Sequence, residues 1–344
     1  MGENQLPMNR IEKAVLQTIH RHRMLESGDA VLVAVSGGAD STALAVLLNN
    51  LTISQKWRIG IAHLNHGIRN AAADMDARFV ERLAVKLGCP FYLKKVRLKE
   101  HHRLYGGNLE ELARTSRYDF LAQTASVNGY TRIAVGHHRH DNAEQVLMAL
   151  IRGSGLDGLS AITPVRSDLI RPLIETDPQD LRAYLRTRNI EHIEDPSNND
   201  ESFLRNRIRQ RLIPILTNEY NPQIIDALNR LATISDDENR LLKQLAGDAF
   251  QQCLVKQKEN CCQFDAEKVT ALPLALQRRL GRMAFEILTG GTRRLTFGHL
   301  EDCLALLAVQ NHPKQIDLPR RIRVLRRDDL WIWRQEADNL RNVR

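Results

Sequence analysis

Two short stretches carry residue types that could do chemistry together. The first is Ser36-Gly37-Gly38-Ala39-Asp40-Ser41, which follows the apolar run Val31-Leu32-Val33 and opens the helical pattern that begins at Thr42. Two glycines let the backbone approach an anion closely and point successive N–H groups at it, and the helix N-terminus adds partial positive charge. Ser36 and Ser41 add hydroxyl donors, so a phosphate is the natural ligand. Asp40 has the wrong charge for that ligand, and a carboxylate beside phosphates points to a bridging Mg²⁺. The stretch lacks the lysine of a P-loop and the spacing of a dinucleotide fingerprint. An ordinary glycine turn between a strand and a helix is the plainer alternative.

The second stretch is Gly136-His137-His138-Arg139-His140-Asp141-Asn142-Ala143-Glu144. Asp141 and Glu144 are spaced as a helix N-cap and its N3 partner, which is one reading. Three histidines and two carboxylates exceed what a cap requires. The carboxylates could instead hold a cationic substrate group or accept its proton.

Three further segments are charged or polar. Ala62-His63-Leu64-Asn65-His66-Gly67-Ile68-Arg69 offers two histidines three apart but no further closely spaced metal ligands, so they are read as lining a nucleotide pocket, with Arg69 near phosphate. Glu110, Arg114 and Arg117 share one helix face. That face is either a solvated Glu–Arg pair or Arg114 reaching phosphates, and charge alone does not separate the two. After Asp195-Pro-Ser-Asn198, a run from Phe203 places Arg205, Arg207, Arg209 and Arg211 at alternate positions. On a helix, Leu204, Ile208 and Leu212 make an apolar stripe, Arg205 and Arg209 share one exposed face, and Arg207 and Arg211 share another. A solvated basic helix and a contact with an RNA backbone both fit.

The elements that must position these residues alternate along the chain. Strand-like runs at Val31–Val33, Trp57–Ala62, Phe91–Val96 and Arg132–Gly136 are separated by helical patterns at Ala73–Leu87, Leu109–Val127 and Ala143–Arg152, after a first helix at Arg10–Met24. This predicts an α/β fold with a doubly wound parallel sheet and its ligands at the carboxyl ends of the strands. Pro214 and Asn221-Pro222 are read as bounding a linker, which divides the chain into residues 1–216 and a smaller α+β C-terminal domain, 217–344.

Forty-nine Lys and Arg against 41 Asp and Glu leave a net charge of +8, which favours an anionic partner such as nucleic acid. No apolar run approaches the ~20 residues of a membrane span, and no signal-peptide h-region is present, so a cytoplasmic location away from membranes is expected. The five cysteines form no CxxC pair, which supports neither a disulfide framework nor a metal cluster.

The Ser36–Ser41 stretch matches Ser-Gly-Gly-x-Asp-Ser, the signature of the PP-loop ATP pyrophosphatases. Taken with AHxxHxxR, NLEExAR…RY, GHH…D…AE followed by RGSG, Arg171-Pro-Leu-Ile, DPSN…FxRNRIR and Ile316-Asp-Leu-Pro319…Ile322-Arg-Val, nearly the whole chain resembles the tRNA(Ile)-lysidine synthetases. The resemblance implies a PP-loop ATP pyrophosphatase fold and a ligase reaction in two steps. ATP adenylates the wobble cytidine of an isoleucine tRNA with a CAU anticodon, and L-lysine then displaces AMP to form lysidine, switching decoding from AUG to AUA.

By position, the resemblance implies that Ser36, Gly37, Gly38, Ala39, Asp40 and Ser41 bind ATP, with Asp40 on Mg²⁺. It implies that Arg114 contacts phosphate or the adenylated intermediate, that Asp141 and Glu144 handle lysine, and that Asn198 and Arg205 meet the target nucleotide or intermediate. His140 departs from the family, standing where a first of two aspartates is common. The basic C-terminal residues Arg320, Arg321, Arg323, Arg326 and Arg327, beside Trp331 and Trp333, are expected to support tRNA binding. A tRNA cytidine thiolase and a non-catalytic tRNA-binding protein are the competing readings, and a homodimer stays open.

Overall fold

The computed structural model describes residues 8–67, 71–96, 109–194, 200–308 and 315–336. Arg69, Asn198 and the Glu110 side chain, named above, lie outside that set. The chain divides into two compact units, Met1–Asp236 and Asp237–Arg344.

The first unit is built on a sheet of six strands in the order β3-β2-β1-β4-β6-β5. These are β1 (Ala30–Ala34), β2 (Arg58–Asn65), β3 (Phe91–Lys95), β4 (Arg132–Ala134), β5 (Val165–Arg166) and β6 (Leu169–Ile170). All pairings are parallel except the short β5–β6 hairpin. In β1, Val31 and Val33 enter the core on one face, and Ala30 and Leu32 enter it on the other. A strand covered on both faces must be apolar throughout, which is why this segment reads as an unbroken hydrophobic run.

The chain adds β2 and β3 on one side of β1 and then crosses to place β4 on the other. The order therefore reverses at the β1/β4 gap. Loops leaving two strands in opposite directions open a crevice there, at the strands' carboxyl ends.

Helices cover both faces. On one side, α1 (Arg10–Arg21), α2 (Ala39–Gln55), α3 (Ala71–Leu87) and a later helix at Pro178–Thr187 enclose the larger cluster around Val15, Leu44, Leu47, Leu48 and Leu181. On the other, α4 (Leu109–Asn128) brings Phe120, Leu121 and Ala125 onto Leu32 and Ile133. The helix α5 (Arg139–Ile151) begins immediately after β4 and its loop.

The segment read as a linker is ordered helix. Residues 204–220, named α6 here, combine two α-helical turns with wider turns at Ile208–Leu212 and Leu216–Tyr220. In those turns the Ile213 and Asn221 amides donate to the carbonyls five residues back, Ile208 and Leu216. Pro214 lacks an amide hydrogen and its ring crowds the carbonyl four residues earlier, and a widened turn relieves both problems without breaking the helix. Ile208 and Ile213 are buried with Ala143, Val146 and Leu147 of α5 and with Ile225, Leu228 and Ala232 of the next helix, α7 (Ile224–Cys253). That packing carries the first unit past residue 216, and the division between units falls inside α7.

The second unit holds a five-stranded antiparallel sheet in the order β7-β8-β11-β10-β9. Its strands are β7 (Leu254–Lys258), β8 (Cys261–Asp265), β9 (Gln315–Leu318), β10 (Ile322–Arg327) and β11 (Leu330–Gln335), with α8 (Leu274–Thr289) among its helices. Trp331 and Trp333 are fully buried, with their rings 5.1 Å apart at 85°. Gly281 of α8 leaves the space they fill: a Cβ there would lie 3.2 Å from Trp333. The two indoles, read from sequence as neighbours of the C-terminal arginines, are therefore core residues. Strand alternation turns Trp331 and Trp333 inward, while Arg323 and Arg327 of β10 point out. Among the described residues, no helix is long and apolar enough to cross a membrane.

Candidate active site

The Ser36–Ser41 turn leaves β1 at the reversal point of the sheet. Gly37 adopts φ +100°, and a Cβ there would lie 2.6 Å from the Ile193 side chain. The turn is laced to itself. Ser41 Oγ donates to the Gly38 carbonyl and accepts the Ser36 amide, both at 3.1 Å, while Thr42 Oγ1 donates to the Gly37 carbonyl at 3.1 Å. Gly38 caps α2, so the free amides of that helix's first turn face the crevice.

Asp40 stands in that first turn, and its Oδ1 is buried with no hydrogen-bond partner among the described residues. Gly136, at the exit of β4, is what lets α2 come this close: a Cβ there would sit 3.1 Å from the Ser41 nitrogen and 3.2 Å from the Asp40 carbonyl carbon. Gly136→Ala should push the two apart and destabilise the fold by about 1–3 kcal/mol in urea unfolding.

The loop after β4 brings the second group. His138, rather than Asp141, caps α5: its Nδ1 accepts the amides of His140 and Asp141, and Asp141 Oδ2 accepts the His138 amide at 3.0 Å. The capping box thus lies one turn earlier than the Asp141–Glu144 spacing predicts. Glu144 is left outside it, facing the site rather than the helix end.

His138 Nε2 lies 3.5 Å from Asp40 Oδ2 and 3.5 Å from Asp141 Oδ2, joining the two stretches singled out in the sequence. Burial alone would depress the His138 pKa, but the Asp40 and Asp141 carboxylates outweigh it and hold the imidazole above its ordinary value. Burial would likewise raise Asp141, yet His138 and Arg205 keep it below the usual carboxylate range.

Glu144 is completely buried and Asp141 nearly so. Two arginines from α6 reach them. Arg205 Nε donates to Glu144 Oε2 and its Nη2 to Asp141 Oδ1, both at 2.7 Å. Arg209 Nε donates to Glu144 Oε1 at 2.5 Å, and its Nη2 is 3.0 Å from both Asp141 Oδ1 and Glu144 Oε2. The face that carries Arg205 and Arg209 is consequently only partly solvated, because two buried carboxylates 61 to 68 residues away in sequence draw its guanidiniums inward. Arg211, by contrast, pairs with exposed Glu201.

A basic group flanks this centre. Arg171, just after β6, is 5 % exposed, donating to the Thr163 carbonyl at 2.5 Å and to His137 Nδ1 at 3.3 Å. Burial, with Arg171, Arg205 and Arg114 nearby, drives His137 down to about 4, so it is neutral. Arg114 lies over the Tyr118 ring at 5.5 Å, and Arg117 Nη2 approaches His66 Nε2 at 3.2 Å. His66 is also pushed down to about 4, by burial first and by Arg117 second. His63 Nδ1 donates to the Val35 carbonyl at 2.8 Å and supports the phosphate-type turn rather than a metal. His140 Nε2 sits 3.4 Å from Asp177 Oδ2. Among the described residues no cluster of three metal-ligating side chains is found.

Residues 7–216 match the sequence profile of the PP-loop domain, an ATP-binding family. A tRNA(Ile)-lysidine synthase of Geobacter sulfurreducens is 36% identical over 325 residues, covering 93% of this chain and 68% of its own length. One from Caldanaerobacter subterraneus is 34% identical over 317 residues, covering 92% and 67%. The chain belongs to the tRNA(Ile)-lysidine synthase family. It spans about two thirds of the length of these relatives.

The U34-tRNA thiolase of Methanococcus maripaludis shares the fold alone, at a TM-score of 0.54 with 19% identity, over 65% of this chain and 78% of its own. That enzyme carries a [4Fe-4S] cluster. Here Cys89 precedes β3, at the amino ends of the strands and away from the crevice, and the other four cysteines belong to the second unit. Burial raises Cys262 to about 11 and Cys303 to about 12, so both are inert thiols.

Of the residues predicted from sequence, the turn Ser36–Ser41, Asp141, Glu144 and Arg205 converge, and Arg114 lies in the flanking basic group. Sequence reasoning missed His138 as the link between the two acidic positions and Arg209 as the partner of Glu144. The i, i+4 spacing of Arg205 and Arg209 was the available signal.

Proposed function

We propose that this chain is an ATP-dependent tRNA(Ile)-lysidine synthetase. It adenylates the C2 oxygen of the wobble cytidine of a CAU-anticodon isoleucine tRNA with release of pyrophosphate. The ε-amine of L-lysine then attacks C2, loses a proton and expels AMP. The observation that carries this reading is the meeting, through His138, of a phosphate-type turn bearing Asp40 with an acidic pair suited to an ammonium group.

The amides of the Ser36–Ser41 turn and the α2 N-terminus would take the ATP phosphates. Asp40, whose buried Oδ1 lacks a partner, fits Mg²⁺, which supplies charge neutralisation between a carboxylate and phosphate oxygens. Arg114 and the basic group around it would orient phosphate or the adenylated nucleotide, as would Arg205 and Asn198. Asp141 and Glu144 would receive lysine's ammonium, which carries an unperturbed pKa near 10.4 and must lose a proton before it can attack. A buried carboxylate pair can both bind it and pass that proton on.

Incubation with ATP, labelled lysine and bacterial tRNA tests the whole reading. Label should enter an isoleucine tRNA, with AMP and pyrophosphate formed; ADP and phosphate as products would overturn it.

The second unit would add tRNA affinity without touching the chemistry. Several of its arginines are already committed to the fold: Arg323 pairs with Asp317 at 2.7 Å, and Arg326 donates to the Leu307 carbonyl. Arg320 and Arg327 are exposed, although Arg320 Nη1 also donates to the Thr289 carbonyl at 2.6 Å. Replacing both by Gln should weaken tRNA binding and lower the slope of log affinity against log salt by about 0.7–0.9 for each phosphate left without its cation. Salt-titrated filter binding would show it, and an unchanged slope would remove this surface from the interface.

A further inference from the structure

The acidic centre that should receive an ammonium group is already filled. Asp141 Oδ1 accepts from both guanidiniums, Asp141 Oδ2 accepts the His138 amide, Glu144 Oε1 accepts Arg209 Nε, and Glu144 Oε2 accepts from both arginines. Two carboxylates thus face two fixed positive charges. An alkylammonium entering beside them would be a third cation on two anions, in a pocket where Glu144 has no contact with solvent. It can enter only as a guanidinium leaves.

The two arginines are not equivalent. Arg205 lies in the regular turn Leu204–Arg207, whereas Arg209 lies in the widened turn Ile208–Leu212 that Pro214 enforces. Arg209 donates to Glu144 Oε1, which Arg205 does not reach, as well as to the two oxygens that Arg205 does. Its side chain, like that of Arg205, is more than a third exposed, so it has somewhere to go. It also feels Asp40, the carboxylate of the phosphate-type turn, in addition to Glu144 and Asp141. A guanidinium within the field of both an acid pair and a phosphate site has two alternative sets of anionic partners, and it binds phosphate in the same two-pronged way as carboxylate.

We propose that Arg209 is a resident counter-ion that holds the ammonium subsite of Asp141 and Glu144 until nucleotide phosphate draws it away, so that lysine binds only after ATP. This rests on the reading of the site as a lysidine-forming centre. The consequence is an enforced order. Without nucleotide the amine finds its carboxylates occupied; once the negative charge of the phosphates is in place, Arg209 turns to it and the acid pair is left one cation short. Lysine supplies that cation at the moment an activated nucleotide is present to be attacked. The occupant of the subsite is thus a side chain that resembles the substrate in charge but has no free amine.

Calorimetric titration of lysine into the full chain, with and without Mg²⁺ and a non-hydrolysable ATP analogue, tests this. The wild-type protein should gain about tenfold or more in lysine affinity with the analogue present. Arg209→Met keeps the aliphatic stem and removes the charge; it should bind lysine without nucleotide, with the analogue changing affinity less than about twofold. Arg209→Lys, which keeps the charge and is the safer variant for folding, should retain the nucleotide dependence. Equal lysine affinity with and without analogue in the wild type, or unaltered dependence in Arg209→Met, overturns the proposal. Pyrophosphate release from ATP and tRNA in the absence of lysine is measured alongside. If that release occurs while lysine affinity ignores nucleotide, Arg209 is not the gate and the reaction assignment stands; if release fails, the assignment itself is overturned.

Discussion

Asp40→Asn is expected to lower pyrophosphate release by about 100-fold or more while leaving the protein folded. The carboxylate is poorly used as a structural group: among the described residues Oδ1 is buried without a hydrogen-bond partner, and Oδ2 lies 3.5 Å from the His138 imidazole, longer than a good hydrogen bond. Its place in the first turn of α2 is favourable for a negative charge, but that interaction contributes only about 0.3–1 kcal/mol. The amide is nearly isosteric, so the melting curve should move little. The effect on chemistry is of another size. Neutralising the charge on transferring phosphates contributes several kcal/mol to a phosphoryl or nucleotidyl transfer, and the only acidic side chain of the turn would be gone. Pyrophosphate release with tRNA present, measured over a range of Mg²⁺, should show both the loss and a raised Mg²⁺ requirement. Activity within tenfold of wild type would return Asp40 to the role of a helix-start carboxylate.

The two halves of this site are unequally legible in the sequence. The turn announces itself because its constraints are local: Gly37 needs a positive φ, an apolar strand must precede it, and Asp40 is out of place beside an anion site. The sheet is equally plain, since β1 covered on both faces admits only apolar residues. The acidic half depends on contacts that no spacing rule reports. Arg205 and Glu144 are 61 residues apart, and only the packing of Ile208 and Ile213 against Ala143 and Val146 brings their helices together. The start of α5 eludes the spacing rule because histidine is an uncommon N-cap, and only its Nδ1, as an acceptor, makes His138 one. Pro214 reads as a break because the rule for a regular helix makes no allowance for one that widens around it. In the second unit, alternation along β10 and β11 turns Trp331 and Trp333 inward and Arg323 and Arg327 outward, a separation that closeness in sequence does not show.

Glu144→Gln is expected to separate the two chemical steps. Pyrophosphate release depends chiefly on the turn, Asp40 and the basic group, and Glu144 reaches the nucleotide only through Arg205 and Arg209, so adenylation should persist at a reduced rate. Transfer to lysine should fall steeply, because the amide replaces a completely buried negative charge that faces the ammonium and cannot take its proton. The stability effect distinguishes this role from a merely structural one. Breaking a buried ion pair on one side costs about 3–5 kcal/mol when the stranded charge stays buried. Here both arginine side chains are more than a third exposed and can turn to water, so a smaller loss of about 1–3 kcal/mol is expected. A residue that only anchored α6 would give that loss with normal lysine kinetics in the surviving folded protein. A residue that serves the second step gives adenylated tRNA that accumulates and does not react, with lysine KM raised or the transfer rate abolished at every lysine concentration. Asp141→Asn provides the control, since its amide oxygen can still accept the His138 amide and keep the cap while the same kinetic defect is expected. Normal lysine KM and transfer rate in both variants, with only their melting temperatures lowered, would assign the pair to holding α6 against α5 and leave the ammonium without its site.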